Sequence, residues 1–432
     1  MLAGLSLAAS ASADPQLTSW FTADSAQYAQ IYRTDGEKSS GQPETTWSNG
    51  RQAQLSPAFK GVQAVLSSSN WVYIRSTGLG SQVMGPWYMD AQHRREFPNL
   101  PTDQHLIFAM SRHPVAQTTR GFNHLGEIGL FVDGVRMFDA NDAFSYSTRN
   151  GRDADPRAGI GHGDGVWNRD AYVNERVTFD AALGHQQQFG TYHYHAEPIA
   201  LRYLLGDHVD FDPTTKTYHE SASAPTRHSP VVGWMYDGYP LYGPYGYANP
   251  TNAASGVRRM VSGFAVRDGR NGSDDLNKTG RRTLPAWDAR EAGRASVLSG
   301  NEIGPDVSER YPLGHYLEDY AYLGDTGKIQ GRDFDLDELN GRWCVTPEFP
   351  QGTYAYFTTI DADGNPVYPY NMGRRFHGYP NGRLMDGIHE PVTVNFEAHP
   401  VKTSSDAAAA KTTLTWNQGV GGYVTESIKN SK

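Results

Sequence analysis

Cysteine is almost missing from this chain of 432 residues, where Cys344 stands alone. An intramolecular disulfide is therefore excluded, and so is a thiolate-rich zinc or iron–sulfur centre. A transition-metal site would have to be built from His, Asp, Glu or Tyr. Basic clusters are lacking as well. With 38 Lys and Arg against 47 Asp and Glu, the formal net charge is -9. Nucleic-acid binding, which needs clustered cations to neutralise phosphates, is not expected. Beyond the N-terminus no stretch approaches the ~20 apolar residues of a membrane span. Sustained helical periodicity is scarce throughout.

Several catalytic signatures are missing too. There is no Gly-x-Ser-x-Gly elbow, no His-Glu-x-x-His and no dinucleotide-binding glycine pattern. Asp361-Ala-Asp-Gly-Asn365 mimics the start of a calcium loop, but its twelfth position is Met372, so the segment reads as a hairpin turn. Cys344, beside Arg342-Trp343, reads as a buried structural thiol rather than a nucleophile.

What the chain does have is 46 Gly and 25 Tyr, a profile of turn-rich β structure with an aromatic core. Trp71–Thr77, Ile107-Phe108, Ile128–Val135 and Val177–Asp180 are strand-like, and Asp133-Gly134 suits a type I′ hairpin. The expected fold is mainly β, an antiparallel β-sandwich-like architecture with two related halves and long surface loops. Residues 1–13 end in Ala11-Ser12-Ala13 and read as a signal-peptide remnant, which predicts a secreted or periplasmic protein, although a basic leader region is lacking. Residues 14–60 read as a peripheral N-terminal segment and 61–400 as the β domain. Within that domain, 252–301 reads as a charged, Gly-rich surface insertion. Residues 401–432 form a loose tail with one further strand expected at Thr412–Trp416.

The two halves are expected from an internal repeat. Gly190-Thr-Tyr-His-Tyr-His195 matches Gly352-Thr-Tyr-Ala-Tyr-Phe357, and Asp237-Gly-Tyr-Pro-Leu-Tyr242 matches Asp363-Gly-Asn-Pro-Val-Tyr368. The first copy carries histidines where the second has Ala355 and Phe357.

On a strand, alternate side chains share a face, so His193 and His195 point the same way while Tyr192 and Tyr194 pack in the core. Two imidazoles so placed can bind one ion. His185, across a turn, is a third candidate ligand. His162, in the glycine-rich loop Gly159–Gly165, and Asp237 are further candidates, and Asp164 lies in the same loop. Asp333, Asp335 and Asp337 would share one face of a strand and read as a solvated acidic edge.

Thr191–Pro198, Gly233–Tyr245, Gly165–Asn174 and Leu336–Arg342 with Thr346–Pro350 together resemble the YHYH domain family. The likeness covers about Trp71 to His399. That family consists largely of exported bacterial proteins named for the tetrapeptide. The resemblance implies export and a Tyr-His-Tyr-His centre but no settled activity. One departure is that relatives often carry Cys or His around the Leu-Asp-Glu-x-Asn-Gly segment, where this chain has Leu339 and Arg342.

Three functions fit these residues. The first is a metal-binding protein holding a divalent ion, copper favoured over zinc, with copper-dependent redox chemistry. The second is a zinc-dependent hydrolase with Glu197 or Asp237 as general base. The third is a non-catalytic module whose Tyr and Trp bind carbohydrate or a surface.

Overall fold

The computed structural model describes residues 14–118, 122–123, 125–155 and 163–399, with the backbone of 412–417 and 422–427. Two sheets dominate. Their strands, in chain order, are β1 (Val62–Ser67), β2 (Trp71–Ser76), β3 (Leu106–Ser111), β4 (Glu127–Phe131), β5 (Arg136–Phe138), β6 (Gly184–Gln186), β7 (Tyr192–Tyr194), β8 (Val231–Met235), β9 (Pro240–Tyr242), β10 (Gly341–Cys344), β11 (Thr353–Phe357), β12 (Arg383–Met385) and β13 (Thr393–Glu397). Five of them form a sheet in the order β12-β3-β2-β1-β13, and eight form a second in the order β6-β7-β5-β4-β8-β9-β11-β10.

β1, β2 and β3 are rich in β-branched, aliphatic and aromatic residues and pair antiparallel, with Val65, Ile74 and Phe108 in register. One face of this sheet carries those three side chains into a cluster shared with Leu130, Phe131, Tyr192, Tyr194, Trp234 and Tyr356 of the larger sheet. Alternate residues Leu66, Tyr73 and Ala109 face the other way, against Ile388. The arrangement is a β-sandwich, as the strand pattern predicts. Among the described residues no helix is long and apolar enough to cross a membrane.

The larger sheet is two copies of one unit meeting at the antiparallel β4–β8 pair. Each unit starts with an antiparallel hairpin, β4–β5 or β8–β9. Each then adds an edge hairpin by a parallel pairing, β5 with β7 or β9 with β11. Registers correspond residue by residue. Gly184, His185 and Gln186 face Tyr194, His193 and Tyr192. Gly341, Arg342 and Trp343 face Tyr356, Ala355 and Tyr354. Segments 190–195 and 352–357 therefore occupy equivalent positions, as the first repeat match predicts.

The second match is corrected. Met137 pairs with Tyr194 and Leu241 with Tyr356, so the counterpart of Asp237–Tyr242 is Asp133–Phe138, not Asp363–Tyr368. Both loops close alike: Gly134 N–H donates to Phe131 O at 2.8 Å and Gly238 N–H to Met235 O at 2.9 Å. Only the glycines adopt positive φ, +84° and +82°. Each loop thus has three residues ending on a left-handed glycine, not the expected type I′ pair.

The edge hairpins share a second device. The Tyr192 hydroxyl donates to Asp180 at 2.8 Å, and Asp180 also accepts from the amides of Ala182 (2.9 Å) and Gly184 (3.1 Å). The Tyr354 hydroxyl donates to Asp337 at 2.9 Å, and Asp337 accepts from Leu339 (2.9 Å) and Gly341 (3.2 Å). In both, the tyrosine ring lies over a glycine: a Cβ on Gly184 would stand 2.3 Å from the Tyr192 hydroxyl, and one on Gly341 2.4 Å from that of Tyr354. Asp337 is therefore a buried turn residue. Asp335 pairs with Arg258 and Asp333 with Arg332, so the three do not form one strand face.

Two other segments differ from expectation. Residues 14–60 are not peripheral, because Trp20, Ile31 and Trp47 are buried in the main core. Segment 252–301 contains the strand Asn252–Arg259 and the helix Ala286–Ala292, and buries Trp287, Arg267 and Arg281. Arg281 makes two 2.7 Å hydrogen bonds to Asp319, both side chains fully buried. Charge that reads as surface is here neutralised inside. In the tail, Thr412–Asn417 pairs with Gly422–Ser427.

Candidate metal centre

The Tyr-His-Tyr-His segment sits at one end of the larger sheet. Its tyrosines point into the sandwich core, and His193 and His195 point out on the opposite face. His185 stands opposite His193 across the β6–β7 pair, so all three imidazoles meet on that outer face. They are 6%, 3% and 4% exposed. Nε2 of His193 lies 3.1 Å from Nε2 of His185 and 3.1 Å from Nε2 of His195.

The other ring nitrogens fix the tautomers. His193 Nδ1 lies 3.0 Å from the Thr191 carbonyl, and His195 Nδ1 2.7 Å from the Asp139 carbonyl. A carbonyl only accepts, so both Nδ1 atoms carry the proton. His185 Nδ1 lies 2.8 Å from Thr178 Oγ1, whose own proton goes to the Glu175 carbonyl at 2.7 Å. That hydroxyl must accept from His185, so its Nδ1 is protonated too. Each Nε2 is thereby left with its lone pair, and the three Nε2 atoms lie within 4.8 Å of one another. Neutral lone pairs at such spacing repel unless a cation lies between them. Ligands 2.0–2.1 Å from a tetrahedral ion stand about 3.3 Å apart, close to the two 3.1 Å separations made by His193.

Burial and the neighbouring imidazoles hold His185 and His193 well below the usual histidine range. Burial also opposes charge on His195, but the hydrogen bond and negative charge of Glu175 outweigh it and raise its pKa. Phe138 stacks on His193 with centroids 3.9 Å apart, and Phe179 meets His185 edge-on at 4.7 Å. A cleft of about 360 Å³ opens beside the cluster, walled by Phe97, Leu125, Phe138, Phe144 and Glu175. Ala143, on its rim, has φ of +74°, a left-handed conformation unusual for a residue with a Cβ.

Of the five ligand candidates, the structure gathers His185, His193 and His195. His162 lies outside the described residues. Asp237 is held elsewhere: its carboxylate accepts from the Tyr356 hydroxyl at 2.7 Å and the Gly378 amide at 2.8 Å. Asp164 accepts from the amide and hydroxyl of Thr148. Two residues that the sequence reading missed stand at the cluster. Glu175 Oε2 is 3.3 Å from His195 Nε2 and 3.5 Å from His185 Nε2, and Thr178 orients His185. Their only sequence signal is position, just beyond the Gly165–Asn174 segment.

The fold and site define a β-sandwich with a duplicated eight-stranded sheet and a buried three-histidine cluster on one half. No curated protein and no solved structure shows significant similarity to the chain. The family model of the YHYH proteins matches residues 107–368, and the chain belongs to that family. The matched region is narrower than the expected 71–399, and it contains the whole eight-stranded sheet.

Proposed function

We propose that the protein binds one divalent transition-metal ion through Nε2 of His185, His193 and His195, and that it works as an exported metalloprotein. The observation that carries this reading is the convergence of three Nε2 lone pairs whose Nδ1 partners leave no other tautomer. Three neutral imidazoles suit copper, which heads the divalent affinity order, and an oxidising exported setting keeps it as Cu(II). We therefore favour copper over zinc, and redox chemistry at a site open to the adjacent cleft.

The hydrolase reading named Glu197 or Asp237 as base. Glu197 is fully buried against Arg202, and Asp237 is engaged by Tyr356 and Gly378. Both are committed away from the cleft, so neither serves as that base. A ligand, carbohydrate among the candidates, would enter through the cleft.

Elemental analysis of protein purified without a metal-chelate tag tests the proposal. About one equivalent of metal is expected in the native chain and none in the H193A/H195A double variant, with unchanged far-ultraviolet circular dichroism. Equal metal content in the two proteins would refute it. The core closes without the ion, so chelation should leave the melting temperature largely intact. A drop worth several kcal/mol would mark a structural ion instead.

A further inference from the structure

We propose that Glu175 is the fourth protein ligand of this ion, giving a three-nitrogen, one-oxygen set with a carboxylate at the mouth of the cleft. The inference rests on the three-histidine reading and deepens it. The relevant distances form a closed ring. From His193 to His195 is 3.1 Å, from His195 to Glu175 Oε2 3.3 Å, from Glu175 Oε2 to His185 3.5 Å, and from His185 back to His193 3.1 Å. The three histidines form the mutually close set, within 4.8 Å of one another, and the Glu175 oxygen adjoins two of them at separations near the ~3.3 Å of donors on a common ion. The carboxylate therefore reaches the set from the side of His185 and His195.

Charge supports the same assignment. Three neutral imidazoles leave the full double charge of a divalent ion in a buried place, and one carboxylate halves it. Glu175 is the last residue of the helix Ala171–Glu175, which Asp170 caps through the Val173 amide at 3.0 Å. Thr178 then ties the Glu175 carbonyl to the His185 ring. One hydroxyl thus sets the position of two ligands. The Glu175 side chain is 26% exposed against 7% for His185 and 4% for His195. All four residues line the cleft; Glu175 is the most exposed of them, and the one an incoming molecule would displace. Imidazole with a single carboxylate suits zinc, copper and iron alike, so the set defines the ligand class rather than the metal.

Cobalt(II) is the probe. Native protein, E175Q, E175A and H193A/H195A are titrated with it while the visible d–d absorption is followed. Loss of affinity by tenfold or more in E175Q and E175A, with a shifted d–d band and unchanged far-ultraviolet circular dichroism, is expected. Retention of both the native band and the native affinity in E175Q and E175A, while H193A/H195A binds nothing, would overturn the role of Glu175 alone. Failure of the native protein to bind cobalt would overturn the three-histidine reading with it. E175Q keeps the side-chain volume, so a changed band there reports coordination rather than packing.

Discussion

The two ends of the eight-stranded sheet share a backbone and differ in chemistry. Where one end has His185, His193 and His195, the other has Arg342, Ala355 and Phe357 in the same registers. Around those three positions little changes. Asp180 and Asp337, Gly184 and Gly341, and Tyr192 and Tyr354 repeat with corresponding hydrogen bonds, and Asp133 and Asp237 each accept from the amide two residues on, Asp237 adding Tyr356 and Gly378. A residue present in both copies serves the scaffold, because only one copy holds the histidine cluster. By this measure Asp237 is a loop residue, and the tyrosines that frame the motif are packing residues. In the second copy the Arg342 guanidinium lies 5.5 Å from the Phe357 ring centroid, and a cation fills the space where the first copy presents lone pairs.

Three measurements would break or sharpen this contrast further. The largest effect is expected from the shared scaffold. D180A strands the amides of Gly85, Ala182 and Gly184 and a hydroxyl, D337A two amides and a hydroxyl, and each should cost about 3–5 kcal/mol in denaturant unfolding. D337A should keep full metal content. If D180A and D337A differ by more than about twofold in cost, the two ends are not equivalent supports. Next comes a residue acting at the histidine end, Thr178. T178V frees the His185 ring and should weaken metal affinity about 10–100-fold in a competition titration, with little change in stability. An unchanged affinity would show that packing alone orients the ring.

The third contrast is a pH dependence. Burial raises Asp133 to about 7 and Asp237 to about 6. A carboxyl with a raised folded pKa stays protonated in the native state while its unfolded counterpart has ionised. Each group therefore lowers stability as pH rises from about 4 up to its folded value, by at most ~1.4 kcal/mol per pH unit. D133N should flatten the stability profile between pH 4 and 7, and D237N should do so only up to pH 6. Identical profiles for D133N and native protein would sink the assignment.

Much of this was legible in the residues. The alternation of Tyr192-His193-Tyr194-His195 gave the two faces, and the match of 190–195 to 352–357 gave the duplication. Asp133-Gly134 was seen as a turn but not as the partner of Asp237-Gly238, because Val135-Arg136-Met137-Phe138 and Tyr239-Pro240-Leu241-Tyr242 share size and strand character rather than identity. Glu175 and Thr178 stay hidden because a helix end and the 3-10 turn after it bring them to the cluster from seven to twenty residues away, with no spacing rule to announce them. Buried pairs such as Arg281 with Asp319 are not legible in the sequence, because composition does not reveal pairing.

The position of β6 at the outer border of its sheet carries a last consequence. A border strand has a neighbour on one side only, and its amides open more readily than those of a central strand. Here that strand supplies His185, while His193 comes from the next one in. An ion shared between them would clasp the border hairpin, and amide hydrogen exchange across 184–194 should slow on metal loading. At the opposite border, exchange across 341–357 should be indifferent to the ion, so each molecule carries its own internal reference for local fraying.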